Sequence, residues 1–284
     1  MNRRIEIGTA TVEFSDEAPS ALSSQTPARD PVVLLHGFTG SKESWRDLRE
    51  QLRTDRRVIS IDLPGHGGTR VGIDVENYSI ERAAAMAIRL LTDVLAVPRF
   101  SLLGYSMGGR LALFIALNYG AHINRLVLES ASPGLADSAD RAARRHADAE
   151  LAAFAESAGI EAFVKRWESI PLFESMARMP AEKIDRLRRE RLGCCVEELA
   201  RSLRGMGTGV QPWLGDELPA LRMPILAIAG ALDPKFTAIG EQMAALAGDA
   251  RFEAIDGAGH APHLERPREF NRIVTDFLNG KRQK

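Results

Sequence analysis

Cysteine is almost missing from this chain: there are two in 284 residues, Cys194 and Cys195, and they are neighbours. Adjacent cysteines make a strained bridge, and two thiols cannot complete a cysteine zinc centre. Neither a disulfide framework nor such a metal site is expected, and the composition fits a reducing compartment. Long apolar runs are missing too. No stretch approaches the roughly 20 apolar residues of a membrane span, and the opening Met1-Asn2-Arg3-Arg4-Ile5-Glu6 lacks the apolar segment of a signal peptide. The expectation is a soluble, cytoplasmic protein. An excess of either charge is also missing, with 37 Lys+Arg against 38 Asp+Glu. Nothing therefore pulls the chain toward nucleic acid or anionic lipid. Lysine is scarce, at six of those 37 basic residues. A GC-rich genome would explain this plainly; the sharper reading is that some arginines grip carboxylates through their planar fork.

What is present is ordinary globular composition, 45% hydrophobic and 26% charged. Residues 4–14 and about 32–36 read as short β-like runs. The Ser/Pro/Ala-rich stretch 15–31 between them reads as a mobile surface loop. Val32-Val33-Leu34-Leu35 is continuously apolar, the mark of a strand buried on both faces. Val58–Ile61, Phe100–Leu103, Leu126–Leu128 and Ile225–Ala229 repeat the pattern, and helical periodicity fills Ile80 to Leu95 and Met107 to Tyr119. Such alternation predicts an α/β fold with a mostly parallel sheet flanked by helices. Between 135 and 210 the alternation breaks into Arg-rich helical segments such as Glu182–Arg189. This predicts a helical cap over 135–210, inserted into a core made of 1–134 and 211–284. Pro219 and Pro224 mark the return to the sheet.

Chemistry concentrates in Gly104-Tyr105-Ser106-Met107-Gly108, a G-x-S-x-G directly after one apolar run and directly before a helical pattern. As a bare motif it is only a glycine-rich turn. Between strand and helix it reads as a sharp elbow exposing the Ser106 hydroxyl at a helix N-terminus. His36-Gly37-Phe38 follows another buried run, so the Phe38 and Met107 amides are expected to form an oxyanion hole. Asp233 and His260 each lie just past a strand-like run, and the order Ser106, Asp233, His260 is that of a hydrolase triad. The cap fits in the longer of the two gaps. His66, in Asp62-Leu63-Pro64-Gly65-His66-Gly67, comes too early for that order and reads as a turn residue. His263 reads as support for the His260 loop. Neither H-x-x-x-H nor a phosphate-binding loop occurs, so no metal and no cofactor is expected.

Together these motifs resemble the α/β-hydrolase superfamily. From about 32 to 278 the chain resembles, within it, the 2-succinyl-6-hydroxy-2,4-cyclohexadiene-1-carboxylate (SHCHC) synthases of menaquinone biosynthesis. The resemblance rests on His36–Ser41, Gly104–Arg110, Glu129–Leu135, Trp167 through Phe173, Leu203–Gly209 and Asp233–Phe236. Arg110 just after the elbow, Ser132-Pro133-Gly134-Leu135 and Met206-Gly207-Thr208-Gly209 are the discriminating parts. The long Ser-rich stretch 15–31 departs from the family's compact start, ahead of every site motif. The resemblance implies a lyase that eliminates pyruvate from a small tri-carboxylate, with Ser106, activated by His260, as base. It implies substrate-binding roles for Tyr105, Arg110, Arg144, Trp167 and Arg191, although the arginines beside Arg144 and Arg191 leave their alignment open by a helical turn. Two other readings share the fold: a serine carboxylester or carbon–carbon bond hydrolase, and a non-catalytic ligand-binding hydrolase fold. The latter usually lacks a triad member, and here all three residue types are present.

Overall fold

The computed structural model describes residues 2–20 and 29–281. Eight strands form one sheet: β1 (Asn2–Ile7), β2 (Ala10–Glu17), β3 (Arg29–Leu35), β4 (Arg56–Ile61), β5 (Phe100–Tyr105), β6 (Ile123–Glu129), β7 (Ile225–Gly230) and β8 (Ala250–Ile255). Their order is β1-β2-β4-β3-β5-β6-β7-β8. β1 pairs antiparallel with β2, and β2 with β4. From β4 to β8 every pairing is parallel. The apolar runs account for this sheet. In β3, Val33 and Leu35 pack on one face while Val32 and Leu34 pack on the other, all fully buried.

Helices cover both faces. On one side lie α2 (Ile80–Arg89) and α3 (Met107–Asn118), reached in sequence after α1 (Arg46–Leu52). α2 starts where the Ser79 hydroxyl accepts from the Arg82 amide, and it buries Ile80, Ala83, Ala84, Ala87 and Ile88 against the sheet. Between β6 and β7 the chain runs through α4 (Ser138–Glu168), a short helical turn over Pro171–Arg178, α5 (Ala181–Leu192) and α6 (Val196–Met206), with no strand. α4 is broken at Gly159, where φ is 82° and the backbone leaves helical geometry. Then come α7 (Pro234–Leu246), the single turn α8 (Pro262–Glu265) and α9 (Pro267–Leu278). α1 and α9 cover the second face, where Leu48, Leu52, Phe270, Ile273, Val274 and Phe277 bury their side chains.

Two sequence expectations need correcting. The run read over 4–14 is a hairpin of two strands, turned at Gly8, whose φ of 64° needs no Cβ to clear. The loop expected over 15–31 is shorter, because Ser15–Glu17 belong to β2 and Arg29 and Asp30 to β3; residues 21–28 of it lie outside the described residues. Among the described residues no helix is long and apolar enough to cross a membrane.

The strand order places the chemistry. After β3 the chain moves to β4 on one side, and β5 begins on the other side of β3. Loops leaving the carboxyl ends of β3 and β5 therefore diverge, which opens a crevice between them. His36-Gly37-Phe38 leaves β3 and Ser106 leaves β5 at this point.

Candidate active site

Ser106 caps α3 with φ 50° and ψ −107°, a conformation rarely held by anything but glycine. The turn closes because its neighbours are glycines: a Cβ on Gly108 would lie 2.3 Å from the Leu35 carbonyl oxygen. The hydroxyl stands at the crevice within reach of His260, which Asp233 holds in turn. His260 Nε2 is 3.1 Å from Ser106 Oγ, and His260 Nδ1 is 2.9 Å from Asp233 Oδ2. Asp233 is the cap of α7 and accepts from the Phe236 amide at 3.2 Å, which holds its carboxylate in place. Both His260 and Asp233 are buried. A carboxylate thus fixes the imidazole tautomer that leaves Nε2 free to accept the serine proton.

The loop bearing Phe38 is held from beneath. His36 is buried; its Nδ1–H donates to the Gly37 carbonyl at 2.7 Å and its Nε2 accepts the Leu63 amide at 3.0 Å. That pattern requires a neutral ring, and burial lowers its pKa to about 4. His66 is buried beside it, donating to the Pro64 carbonyl at 3.0 Å, with its pKa lowered to about 3 by burial and then by His36. Lys42 completes the support, bound to Glu13 at 2.6 Å and to Asp62 at 2.9 Å. Among the described residues the Phe38 and Met107 amides donate to no protein acceptor, as groups awaiting an oxyanion would. His263 does not meet Ser106; its ring and its amide both donate to Glu129 Oε1, at 2.8 and 2.9 Å.

One cavity joins these groups to the helices above. Phe38, Tyr105, Ser106, Met107 and His260 line it from below, and Arg110, Arg144, Trp167, Phe173 and Thr208 complete much of its wall. Tyr105 packs its ring 5.5 Å from that of His260, while burial and the Glu129 carboxylate push its hydroxyl well above the usual range. Trp167 sits edge-on to Phe38, and its buried Nε1–H finds no partner among the described residues.

The arginines differ sharply. Arg110, on the first turn of α3, is buried and has no carboxylate in salt-bridge range among the described residues. Its two terminal nitrogens donate instead to Gln211 Oε1 and to the Met206 carbonyl, each at 2.8 Å. Burial, then the nearby Arg144, lower its pKa to about 10, against the opposing pull of the Asp148 carboxylate. Arg144 is half-exposed on the cavity wall and pairs with Asp148 one turn along α4 at 2.8 Å. Arg191, expected beside them, is not among the residues lining the cavity and lies behind that wall. Glu168 holds it at 3.1 Å, and its guanidinium lies 5.5 Å above Phe173, which is itself the lining residue.

Sequence reasoning missed Ser130, Ser132, Lys235 and Phe236, all on the wall. Ser130 is buried with φ 46° and an unpartnered hydroxyl. Lys235 follows Asp233 by two residues, inside a stretch that carried the resemblance, yet its own role had no spacing signal.

A model of the alpha/beta hydrolase family matches residues 32–273. A Bacillus subtilis (strain 168) protein provisionally named 2-succinyl-6-hydroxy-2,4-cyclohexadiene-1-carboxylate synthase is 42% identical over 275 residues, 96% of this chain and 100% of the relative. A Salmonella typhimurium protein named as that synthase is 34% identical over 244 residues, 85% of this chain and 90% of its own. The solved structure of MenH from S. aureus is similar with a TM-score of 0.88 and 34% identity, covering 94% of this chain and 98% of that one.

Proposed function

Because this chain belongs to the α/β-hydrolase family, and within it to the SHCHC synthases, we propose that it is a lyase of menaquinone biosynthesis. Its reaction eliminates pyruvate from 2-succinyl-5-enolpyruvyl-6-hydroxy-3-cyclohexene-1-carboxylate to give SHCHC. One observation carries the substrate class. Arg110 is a buried cation on the wall of the cavity that holds Ser106 and His260, and among the described residues no carboxylate contacts it: the nearby Asp148 is paired with Arg144 and acts on Arg110 only from beyond salt-bridge range. Leaving a guanidinium desolvated without a contacting anion is costly unless a ligand supplies one. The substrate has three carboxylates to offer.

The hydrogen-bond geometry supports the following step. His260, oriented by Asp233, accepts the Ser106 proton through Nε2, and Ser106 removes the ring proton next to the succinyl ketone. The electron pair moves toward the ketone oxygen, which the Phe38 and Met107 amides stabilise as an enolate. Collapse of that enolate shifts the ring double bond and breaks the carbon–oxygen bond to the enolpyruvyl group. Enolpyruvate leaves and takes up a proton to become pyruvate. Every group in this sequence is a residue of the chain. Arg110 and Arg144 bind carboxylates, with Tyr105 and Trp167 closing the apolar part of the wall. Arg191 is left out of the ligand set, and its contact supports Phe173. The helices over 135–210 act as the cap that supplies Arg144 and Trp167. The test is direct: purified protein is incubated with the enolpyruvyl substrate and pyruvate is followed by a lactate dehydrogenase couple. Stoichiometric pyruvate and SHCHC are expected; their absence would overturn the reading.

A further inference from the structure

Arg110 is held by two acceptors, and neither is charged. The Met206 carbonyl takes one terminal nitrogen and Gln211 Oε1 takes the other, each at 2.8 Å. Gln211 is buried, and its backbone N–H donates to the Gly207 carbonyl at 3.3 Å, which fixes the residue to the loop whose Gly207 and Thr208 line the cavity. The orientation of its side-chain amide is settled by chemistry, since a guanidinium offers only donors and must meet the oxygen. The Nε2 end is then left buried with no partner among the described residues. Stability alone does not account for this choice. A glutamate of the same size would remove the orphaned donor and pair with Arg110 as an ion pair, but the pair would be neutral.

We propose that Gln211 is a positioning and specificity-determining residue: it fixes the Arg110 guanidinium at the cavity wall without adding a negative charge, so that Arg110 and Arg144, which share the single carboxylate of Asp148, keep a net positive charge for a substrate carboxylate. This rests on the tri-carboxylate reading above. Gln211 touches Arg110 and is not among the residues lining the cavity, so it acts through the arginine.

The experiment separates charge from shape. Gln211→Glu keeps the size and the acceptor and adds the charge. On the enolpyruvyl substrate its KM is expected to rise about tenfold or more, with kcat changing less than about threefold. A merely structural residue predicts no such split. Because a buried carboxylate can impair folding, Gln211→Met is measured as well, alone and combined with Arg110→Ala. About a fivefold loss of kcat/KM is expected in the otherwise unaltered protein and none in the Arg110→Ala background, since the two residues share one interaction. An unchanged KM in a folded Gln211→Glu variant, or equal losses for Gln211→Met in both backgrounds, would overturn the inference. If the unaltered protein releases no pyruvate, the substrate reading fails instead, and this inference with it.

Discussion

Two hydrogen bonds join Ser106, His260 and Asp233, and on the proposed mechanism, in which they act as one relay, their removal should behave as the loss of one device. Each alanine variant is expected to lower turnover about 10²–10⁴-fold, with melting temperature nearly unchanged, and a double variant should be scarcely worse than the worse single one. Near-full turnover by any single variant would remove that residue from the relay. The arginines divide by what already holds them. Arg110→Ala should lower kcat/KM about 10- to 150-fold, the worth of a charge-assisted hydrogen bond. Arg110→Lys should recover only part of it, because an ammonium lacks the planar fork. Arg191→Ala should cost no more than about fivefold, since Glu168 already occupies that guanidinium. Steady-state kinetics on the three variants would check this order, and equal losses would mean that Arg191 reaches the substrate. The relay was legible in the sequence because the elbow is local: glycines, serine and flanking patterns sit within a few residues. Gln211 was not, because nothing near it in sequence marks a residue that meets Arg110 only after folding. Arg191 was named by the resemblance alone, and its pairing with Glu168 on another helix has no local mark in the sequence either.

At the scale of elements, the sheet was readable because both faces of its central strands are covered, which leaves unbroken apolar runs in the sequence. The β1–β2 hairpin was not resolved, since a turn at Gly8 and Thr9 barely interrupts the alternation. The break in α4 at Gly159 was equally silent: one glycine in a helical pattern gives no sign that the axis stops. At the junction of β5 with α3 the elements meet closely. A methyl group on Gly108 would press on the backbone of β3, at 2.3 Å from Leu35 and 2.5 Å from the His36 carbonyl oxygen, and backbone cannot rotate away. Gly108→Ala is therefore expected to cost about 1–3 kcal/mol of stability and most of the activity, because β3 leads directly into the Phe38 loop. Gly248→Ala, with no atom within 4 Å of the new carbon, is the control and should melt close to the parent. Differential scanning of both variants decides it: similar melting temperatures would mean that the elbow has slack.

The molecule as a whole should weaken in mild acid. His36 and His66 are buried as neutral rings, with pKa values lowered to about 4 and about 3. In the unfolded chain they titrate near 6.5. Between those values the unfolded state binds protons that the native state refuses, so stability is full above about pH 6.5 and falls as the pH drops. Each ring contributes up to about 1.4 kcal/mol per pH unit across that window. Asp148 and Glu190, whose carboxyls burial pushes up, act in the opposite sense and offset part of the loss. Urea melts at pH 7.5, 6 and 5 should show a declining midpoint, and an equal midpoint at all three would contradict the assignment of neutral rings. One feature of the backbone reaches further. Thr39, Ala96, Ser106 and Ser130 hold left-handed conformations without being glycine, and three of the four stand just past β3, β5 and β6, where the chemistry is. Such conformations cost about 1–3 kcal/mol each, a sizeable part of the 5–15 kcal/mol that keeps a typical domain folded. Heat tolerance and catalysis therefore pull this sequence in different directions. A library screened for survival at high temperature alone would drift toward glycine at positions 106 and 130, and its winners would be sturdier and silent.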